Sequence, residues 1–97
     1  MNLQAMMQQA QTLQSDMMKS KEEIDSKTFT SKQSLVEIEM KGNKEVTRVK
    51  INAEELSKDD IEMLEDMIML AVNENVKNIN KETEQKMGKF GGVAGLL

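Results

Sequence analysis

The chain has 97 residues, which suits one domain, and only 2 % of them are aromatic, so the core must be built from aliphatic side chains and ten methionines. It has no cysteine and no histidine, which excludes disulfides, thiolate chemistry and a cysteine-based metal site. The formal net charge of −4 argues against a general polyanion binder.

Residues 2–26 form the first periodic segment. Its apolar positions recur every seven residues at Leu3, Ala10, Met17 and Ile24, and Met6 and Leu13 follow the first two at a spacing of three. A single stripe on a segment without proline or glycine predicts an amphipathic helix with one partner helix. A membrane-surface or peptide-binding helix is the alternative, but lysine and arginine are too few for an interfacial anchor.

Three strands are predicted next. KTFTS is a short candidate, and SLVEIEM alternates strictly, with Val36, Ile38 and Met40 on one face and glutamates on the other. KGNK supplies a turn in which Gly42 and Asn43 are the residues able to adopt positive φ.

EVTRVKI is the third predicted strand. Alternation places Thr47, Val49 and Ile51 on one face, and Val46 on the other face with Arg48 and Lys50. The three strands together predict an antiparallel meander with one wet face.

The second helix is predicted from Lys58 to about Met87. Ser57 with Asp60 resembles a capping box, and the neighbouring acids suit the positive end of a helix dipole, which disfavours a metal or acid/base site there. This helix is apolar on two sides. The first stripe is Ile61, Leu64, Ile68, Ala71, Val72, Val76 and Ile79, and the second is Met63, Met67 and Leu70.

The predicted fold class is therefore α+β, in the order long helix, three-stranded antiparallel meander, long helix. The first stripe should face the sheet, while the end of the second helix should pair with the first helix and lie near the N-terminus on a projecting arm. Residues 1–90 are predicted to form the domain and residues 91–97 a flexible glycine-rich tail. Met63, Met67 and Leu70 would remain in water in a monomer, which predicts a homodimer interface at that stripe.

The segment VEIEMKGNKEVTRVKINAEELSKDDIEMLEDMIMLAVNENVKNI resembles the YbaB/EbfC family of bacterial nucleoid-associated proteins. The likeness rests on Gly42, Val49–Ile51, Glu55–Leu56, Asp59–Asp60, Leu64–Glu65–Asp66 and Ala71–Val72–Asn73–Glu74, and it covers nearly the whole chain. The family's Asp-Pro corner is Asn52–Ala53 here. The resemblance implies a tweezer-shaped homodimer with projecting helical arms that binds duplex DNA, organises the nucleoid and influences transcription, without a cofactor.

Lysines on the arm are the expected contacts with DNA phosphates, because affinity for duplex DNA comes mainly from such cations. The candidates are Lys77, Lys81, Lys86 and Lys89 on the second helix and its end, with Lys19 and Lys21 on the first. A second candidate surface around the hairpin comprises Lys41, Lys44, Arg48 and Lys50. Lysines on a solvated helix face usually serve only solubility, so each assignment is a hypothesis.

Catalysis and protein binding are the two alternatives to DNA binding. The chain has no phosphate-binding glycine loop and no nucleophile elbow, so we expect no enzyme, no small-molecule substrate, no metal and no cofactor. A prefoldin-like holdase or protein-interaction module is the stronger rival, since methionine-rich surfaces suit promiscuous binding. No signal peptide or membrane-spanning run is apparent, so the expected location is the cytoplasm, on the nucleoid.

Overall fold

The computed structural model describes residues 2–91. The element order is α1 (Leu3–Ser26), β1 (Thr28–Gln33), β2 (Val36–Lys41), β3 (Val46–Ile51) and α2 (Asp60–Met87), and a 3₁₀ turn follows at 88–91. The predicted α+β class and element order are confirmed. Of the predicted tail 91–97, only Gly91 lies within the described residues.

The sheet is an antiparallel meander in the order β1-β2-β3, and α2 packs across β1 and β2. Val36, Ile38 and Met40 of the central strand are buried, as their alternation predicted. Val36 and Ile38 form the core cluster with Ala71 of α2, and Leu64, Ile68 and Val72 pack against it. The helix does not extend over β3, whose residues are all exposed.

Strand β3 contains an irregularity that the alternation did not reveal. Val49 lies opposite Ile38 and Ile51 opposite Val36, but the register shifts between Glu39 and Met40, so that Met40 faces Val46. Opposed residues of an antiparallel pair point to the same face. The prediction that Val46 shares a face with Arg48 and Lys50 is therefore wrong, because an extra residue in the strand turns Val46 towards the helix side.

The β2–β3 turn also differs from the prediction in one respect. The positive φ is at Lys44 (71°), while Gly42 and Asn43 have negative φ. Gly42 is needed for a different reason, since a Cβ at this position would overlap the carbonyl group of Ile24 at the end of α1. The glycine therefore allows the first helix to cross the hairpin at close range.

Helix α2 begins at Asp60, two residues after the predicted start. The backbone N–H and the hydroxyl of Ser57 donate to the Asp60 carboxylate at 2.9 and 3.0 Å, which forms one half of the predicted capping box. Both hydrogen bonds lower the pKa of Asp60, and the bond from the Ser57 backbone N–H has the larger effect. Ile61 was assigned to the sheet-facing stripe, but its side chain is 51 % exposed because the first turn of α2 lies beyond the sheet.

Helices α1 and α2 pack antiparallel, but the end of α2 does not reach the start of α1. Met17 and Ile24 of α1 cluster with Met87 and Phe90, so the end of α2 lies beside the middle of α1. The prediction that this end lies near the N-terminus is therefore wrong. Residues 3–16 of α1 are exposed and project further, and the described residues extend over 72 × 18 × 14 Å.

Candidate nucleic-acid interface

Lys77 and Lys81 lie on the outer face of α2. Asn75 and Ile79, the residues on either side of Lys77 at a spacing of two, are buried, so Lys77 points away from the body. Lys81 follows one turn later on the same face. Both side chains are exposed, and neither forms an ion pair within residues 2–91, which leaves both ammonium groups accessible to a phosphate.

Lys86 and Lys89 lie at the end of α2, beside the middle of α1. Lys86 is half-buried, and Lys89 is exposed with its Nζ atom 5.0 Å from the centroid of the Phe90 ring. This geometry is a cation–π contact, which leaves the positive charge at the surface. The pair therefore belongs partly to the packing of the arm and partly to its surface.

The two candidates on α1 are separated from the others. Lys21 forms an ion pair with Asp25 (Nζ–Oδ2, 3.2 Å) and lines a concave site of about 310 Å³ together with Lys44 and Asn80. Lys19 lies on another side of α1, beside Met18 and Glu22. The six predicted lysines thus do not form one continuous surface, although Lys21 and the hairpin lysine Lys44 line the same concave site.

The open face of the sheet carries the remaining basic side chains. Its charged residues are Lys32, Lys41, Arg48 and Lys50 with Glu37 and Glu39, a net charge of +2. The Nη1 atom of Arg48 lies 3.9 Å from Oε1 of Glu39, so part of the charge is compensated. Lys32 was not predicted here, and only the pairing of β1 with β2, which sets it opposite Glu37, reveals its position.

The predicted dimer stripe is divided by the structure. Met63 and Leu70 are 43 % and 51 % exposed, as a partner-facing role requires. Met67 is half-buried and packs against the core cluster instead. A second uncovered apolar surface lies over β3. Val46, Val49 and Ile51 are exposed there on the helix side of the sheet, beyond the strands that α2 covers, and strict alternation hid this surface because it misplaced Val46.

Comparison with known proteins gives a consistent result. The model of the YbaB/EbfC DNA-binding family matches residues 1–94. The chain belongs to this family. That membership confirms the resemblance carried by the strand–turn–strand–helix segment.

The relatives of this YbaB/EbfC chain carry one common name. A "Nucleoid-associated protein" of Lactococcus lactis subsp. cremoris is 46 % identical over 92 residues, which cover 93 % of each chain. A protein of that name from Ligilactobacillus salivarius is 35 % identical over 93 % of this chain and 88 % of its own. One from Streptococcus thermophilus is 42 % identical over 95 % of each.

Polar contacts join α2 of this YbaB/EbfC chain to the sheet and to the end of α1. The Asn75 side chain, fully buried, donates from Nδ2 to the Ile38 carbonyl at 2.9 Å, and the Ser31 hydroxyl donates to the Ala71 carbonyl. Lys27 bridges to Glu82 beside the helix pair. Sequence reasoning missed these contacts because a polar residue in a helix gives no signal of the strand it meets.

Other kinds of site were sought in the part of this YbaB/EbfC chain that the structure describes. Within residues 2–91, no group of three acidic side chains converges as metal ligands would. None of the described helices has the length and apolar character needed to cross a bilayer.

Proposed function

We propose that this protein binds duplex DNA as a homodimer in the bacterial nucleoid, where it contributes to nucleoid organisation and gene regulation. The observation that carries the proposal is the match to a DNA-binding family over residues 1–94, together with relatives named for the nucleoid. The cytoplasm is the corresponding location. No cofactor or small-molecule substrate is part of the proposal.

The arm is the proposed DNA contact. Residues 54–66 carry a net charge of −6 and residues 77–97 a net charge of +2, so along α2 and its end the basic charge lies on the side away from the acidic start of the helix. Lys77 and Lys81 are exposed and share a face, which suits successive phosphate contacts. Lys86, Lys89, Lys19 and Lys21 would add contacts as the arm meets the duplex. Contacts of this kind position a protein on DNA without reading its sequence.

Two uncovered apolar surfaces support the homodimer. Val46, Val49 and Ile51 lie beside α2 on the helix side of the sheet, over β3. Met63 and Leu70 lie on α2 itself. Burial of such side chains contributes roughly 1.5–3 kcal/mol each when complete, and a two-fold axis doubles the gain. We assign both surfaces to the interface, with Met67 supporting them from the core side.

Two double variants with equal charge change test the DNA contact. Lys77→Glu with Lys81→Glu alters the arm, and Lys32→Glu with Lys50→Glu alters the open sheet face. In mobility-shift titrations over a salt series, the arm variant should lose affinity and show a smaller salt slope, by about one unit for each phosphate contact removed. The sheet variant should bind nearly as the wild type does. The reverse order would move the interface to the sheet, and wild-type binding that ignores salt would exclude phosphate contacts.

Two single variants test the dimer. Leu70→Lys and Val49→Lys alter exposed positions, so each monomer should still fold, which a circular dichroism spectrum checks. Both should sediment as monomers at concentrations where the wild type is dimeric. Met67→Lys is a poorer test, because that side chain packs against the core. Its replacement would also unfold the monomer, so sedimentation could not separate unfolding from dissociation. Two stable dimers would contradict the proposed interface.

A holdase-like module is the second candidate, and one observation favours it. Leu3, Met6 and Met7 at the far end of α1 are 71 %, 47 % and 56 % exposed, as the tip of a client-binding arm would be. The test is suppression of aggregation of a heat-denatured model protein. Leu3→Ser with Met6→Ser should abolish suppression if these side chains hold clients, and an inactive wild type would remove this candidate.

A further inference from the structure

A cleft lies where the end of α1, the β2–β3 turn and the second half of α2 meet. It is concave, with a volume of about 310 Å³, and the buried side chains of Ile24 and Ile79 line its apolar part. Gly42 lines it too, and the Gly42 N–H donates to the Lys27 carbonyl at 3.0 Å, which holds the turn against the end of α1. Packing therefore fixes the walls of the cleft in the free protein, as is usual for ligand sites.

Lys44 occupies a costly backbone conformation in this turn. Its φ is 71°, a region that asparagine and glycine enter far more readily than lysine does. Residues kept in such conformations concentrate at sites that bind ligands. Lys44 lines the cleft, is exposed and forms no ion pair within residues 2–91, so its ammonium group is available to an anion there.

Side-chain amides supply further donors to the cleft. The Oδ1 atom of Asn43 accepts the N–H of Glu45 at 2.9 Å, which leaves the Nδ2 group of Asn43 to donate elsewhere. Asn80 contributes a second amide from α2. Lys21 and Asp25 also line the cleft and pair with each other at 3.2 Å, so the charged side chains of the cleft, with Lys44, carry a net charge of +1. Donors beside a positive charge are the groups that phosphate oxygens bind.

We propose that this cleft binds a phosphate group, with Lys44 as its main cation and the amides of Asn43 and Asn80 as hydrogen-bond donors. Two sources of phosphate share this chemistry, the DNA backbone and a free phosphorylated compound such as a nucleotide. Asn80 follows Lys77 at a spacing of three on α2, so a backbone phosphate in the cleft would adjoin the contact proposed for the arm. The inference concerns the cleft alone and holds for either source.

NMR titration of the full-length protein tests the proposal with two probes, inorganic pyrophosphate and a short DNA duplex. In the wild type, the backbone amides of residues 42–45 and 80–83 should shift saturably with at least one probe. Lys44→Asn should lower the affinity for that probe by about tenfold, the effect of one lost charge-assisted hydrogen bond. Its urea midpoint should stay the same or rise, because asparagine tolerates this φ better, so the loss of affinity cannot come from unfolding.

Two further variants separate the cleft from the general charge of the protein. Lys58→Asn removes the same charge from an exposed turn outside the cleft, and it should leave the affinity unchanged. Asp25→Asn removes the carboxylate that pairs with Lys21, and it should raise the affinity severalfold because the carboxylate repels phosphate. Weaker binding by Asp25→Asn would contradict an anion site.

The two probes also identify the source of the phosphate. Cleft shifts with the duplex that pyrophosphate reverses would assign the phosphate to DNA. Cleft shifts with pyrophosphate alone, while the duplex shifts only residues around Lys77 and Lys81, would assign it to a free compound. A protein that binds pyrophosphate in the cleft but binds no duplex would refute the proposed function and support this site.

Three results would overturn the proposal. The first is the absence of a saturable shift at residues 42–45 with either probe. The second is an equal affinity of the wild type and Lys44→Asn. The third is a loss in Lys58→Asn as large as that in Lys44→Asn, since the binding would then follow net charge and not the cleft.

Discussion

Replacement of Phe90 by alanine tests the packing of the arm. Truncation of a buried phenylalanine costs about 3–5 kcal/mol, through lost burial and the cavity that remains. Phe90 is 9 % exposed, and its neighbours Met17 and Met87 lie near the end of a two-helix unit that can relax. We therefore expect the lower end of the range, about 3 kcal/mol.

Most of this loss should appear as local opening, because the cluster around Phe90 is separate from the sheet cluster. Amide hydrogen exchange in residues 84–90 should accelerate by roughly a hundredfold, the factor that corresponds to about 3 kcal/mol. The midpoint of urea unfolding should fall less. The measurement is exchange followed by NMR, with urea unfolding monitored by circular dichroism.

The other phenylalanine of the chain provides the control. Phe29 lies on β1 opposite Met40 and is half-buried. Phe29→Ala should lower the urea midpoint while leaving exchange in residues 84–90 in step with global unfolding. If Phe90→Ala leaves exchange in that segment unchanged, Phe90 does not hold the end of α2 and the argument for a packed arm fails.

Three further changes have defined outcomes. Gly42→Ala should destabilise the protein by about 1–3 kcal/mol in urea unfolding, because its Cβ meets the backbone at the end of α1. NMR titration should give Asp60 a pKa below its ordinary value, and Ser57→Ala should raise that pKa only in part, since the backbone donor remains. Because the folded pKa is the lower one, the stability from this contact is present above pH 3.8 and is lost as the pH falls through the folded pKa. Asn75→Ala should cost about 1–3 kcal/mol in thermal unfolding, because it removes a buried donor to the β2 backbone.

Local patterns were sufficient to predict the elements of this fold. The alternation at Val36, Ile38 and Met40 records burial on one face directly, and all three are buried. The seven-residue repeat through Met17 and Ile24 likewise predicted α1 to within a residue at its start and to the residue at its end. Such patterns work because side-chain direction within one element depends only on its own period.

Relations between elements were harder to predict. Val46 was placed on the wrong face because a bulge belongs to the pairing of two strands. The sequence of α2 does not indicate how far the sheet extends beneath the helix. For that reason Met67 was assigned to the dimer interface and Ile61 to the core.

The candidate site was only partly predicted, because helix geometry can be read from one element whereas strand register cannot. Lys77 and Lys81 share a face by helix geometry alone, and the structure places both on an exposed face. Lys32 on the open sheet face could not be foreseen without the strand register. The burial of Phe90 could not be predicted, because its packing depends on where α2 ends along α1.

The close crossing at Gly42 has a mechanical consequence. Helix α1 is held against the hairpin by the Gly42 N–H, which donates to the Lys27 carbonyl at 3.0 Å, and it then runs 24 residues to its free end. The part of α1 beyond its contact with α2, residues 3–16, is about 21 Å long at 1.5 Å per residue, and a rotation of about 10° at its base moves the tip through roughly 4 Å. In the proposed homodimer, small adjustments where strand and helix meet would therefore set the opening between the two copies of this helix, and with it the diameter of what they can hold.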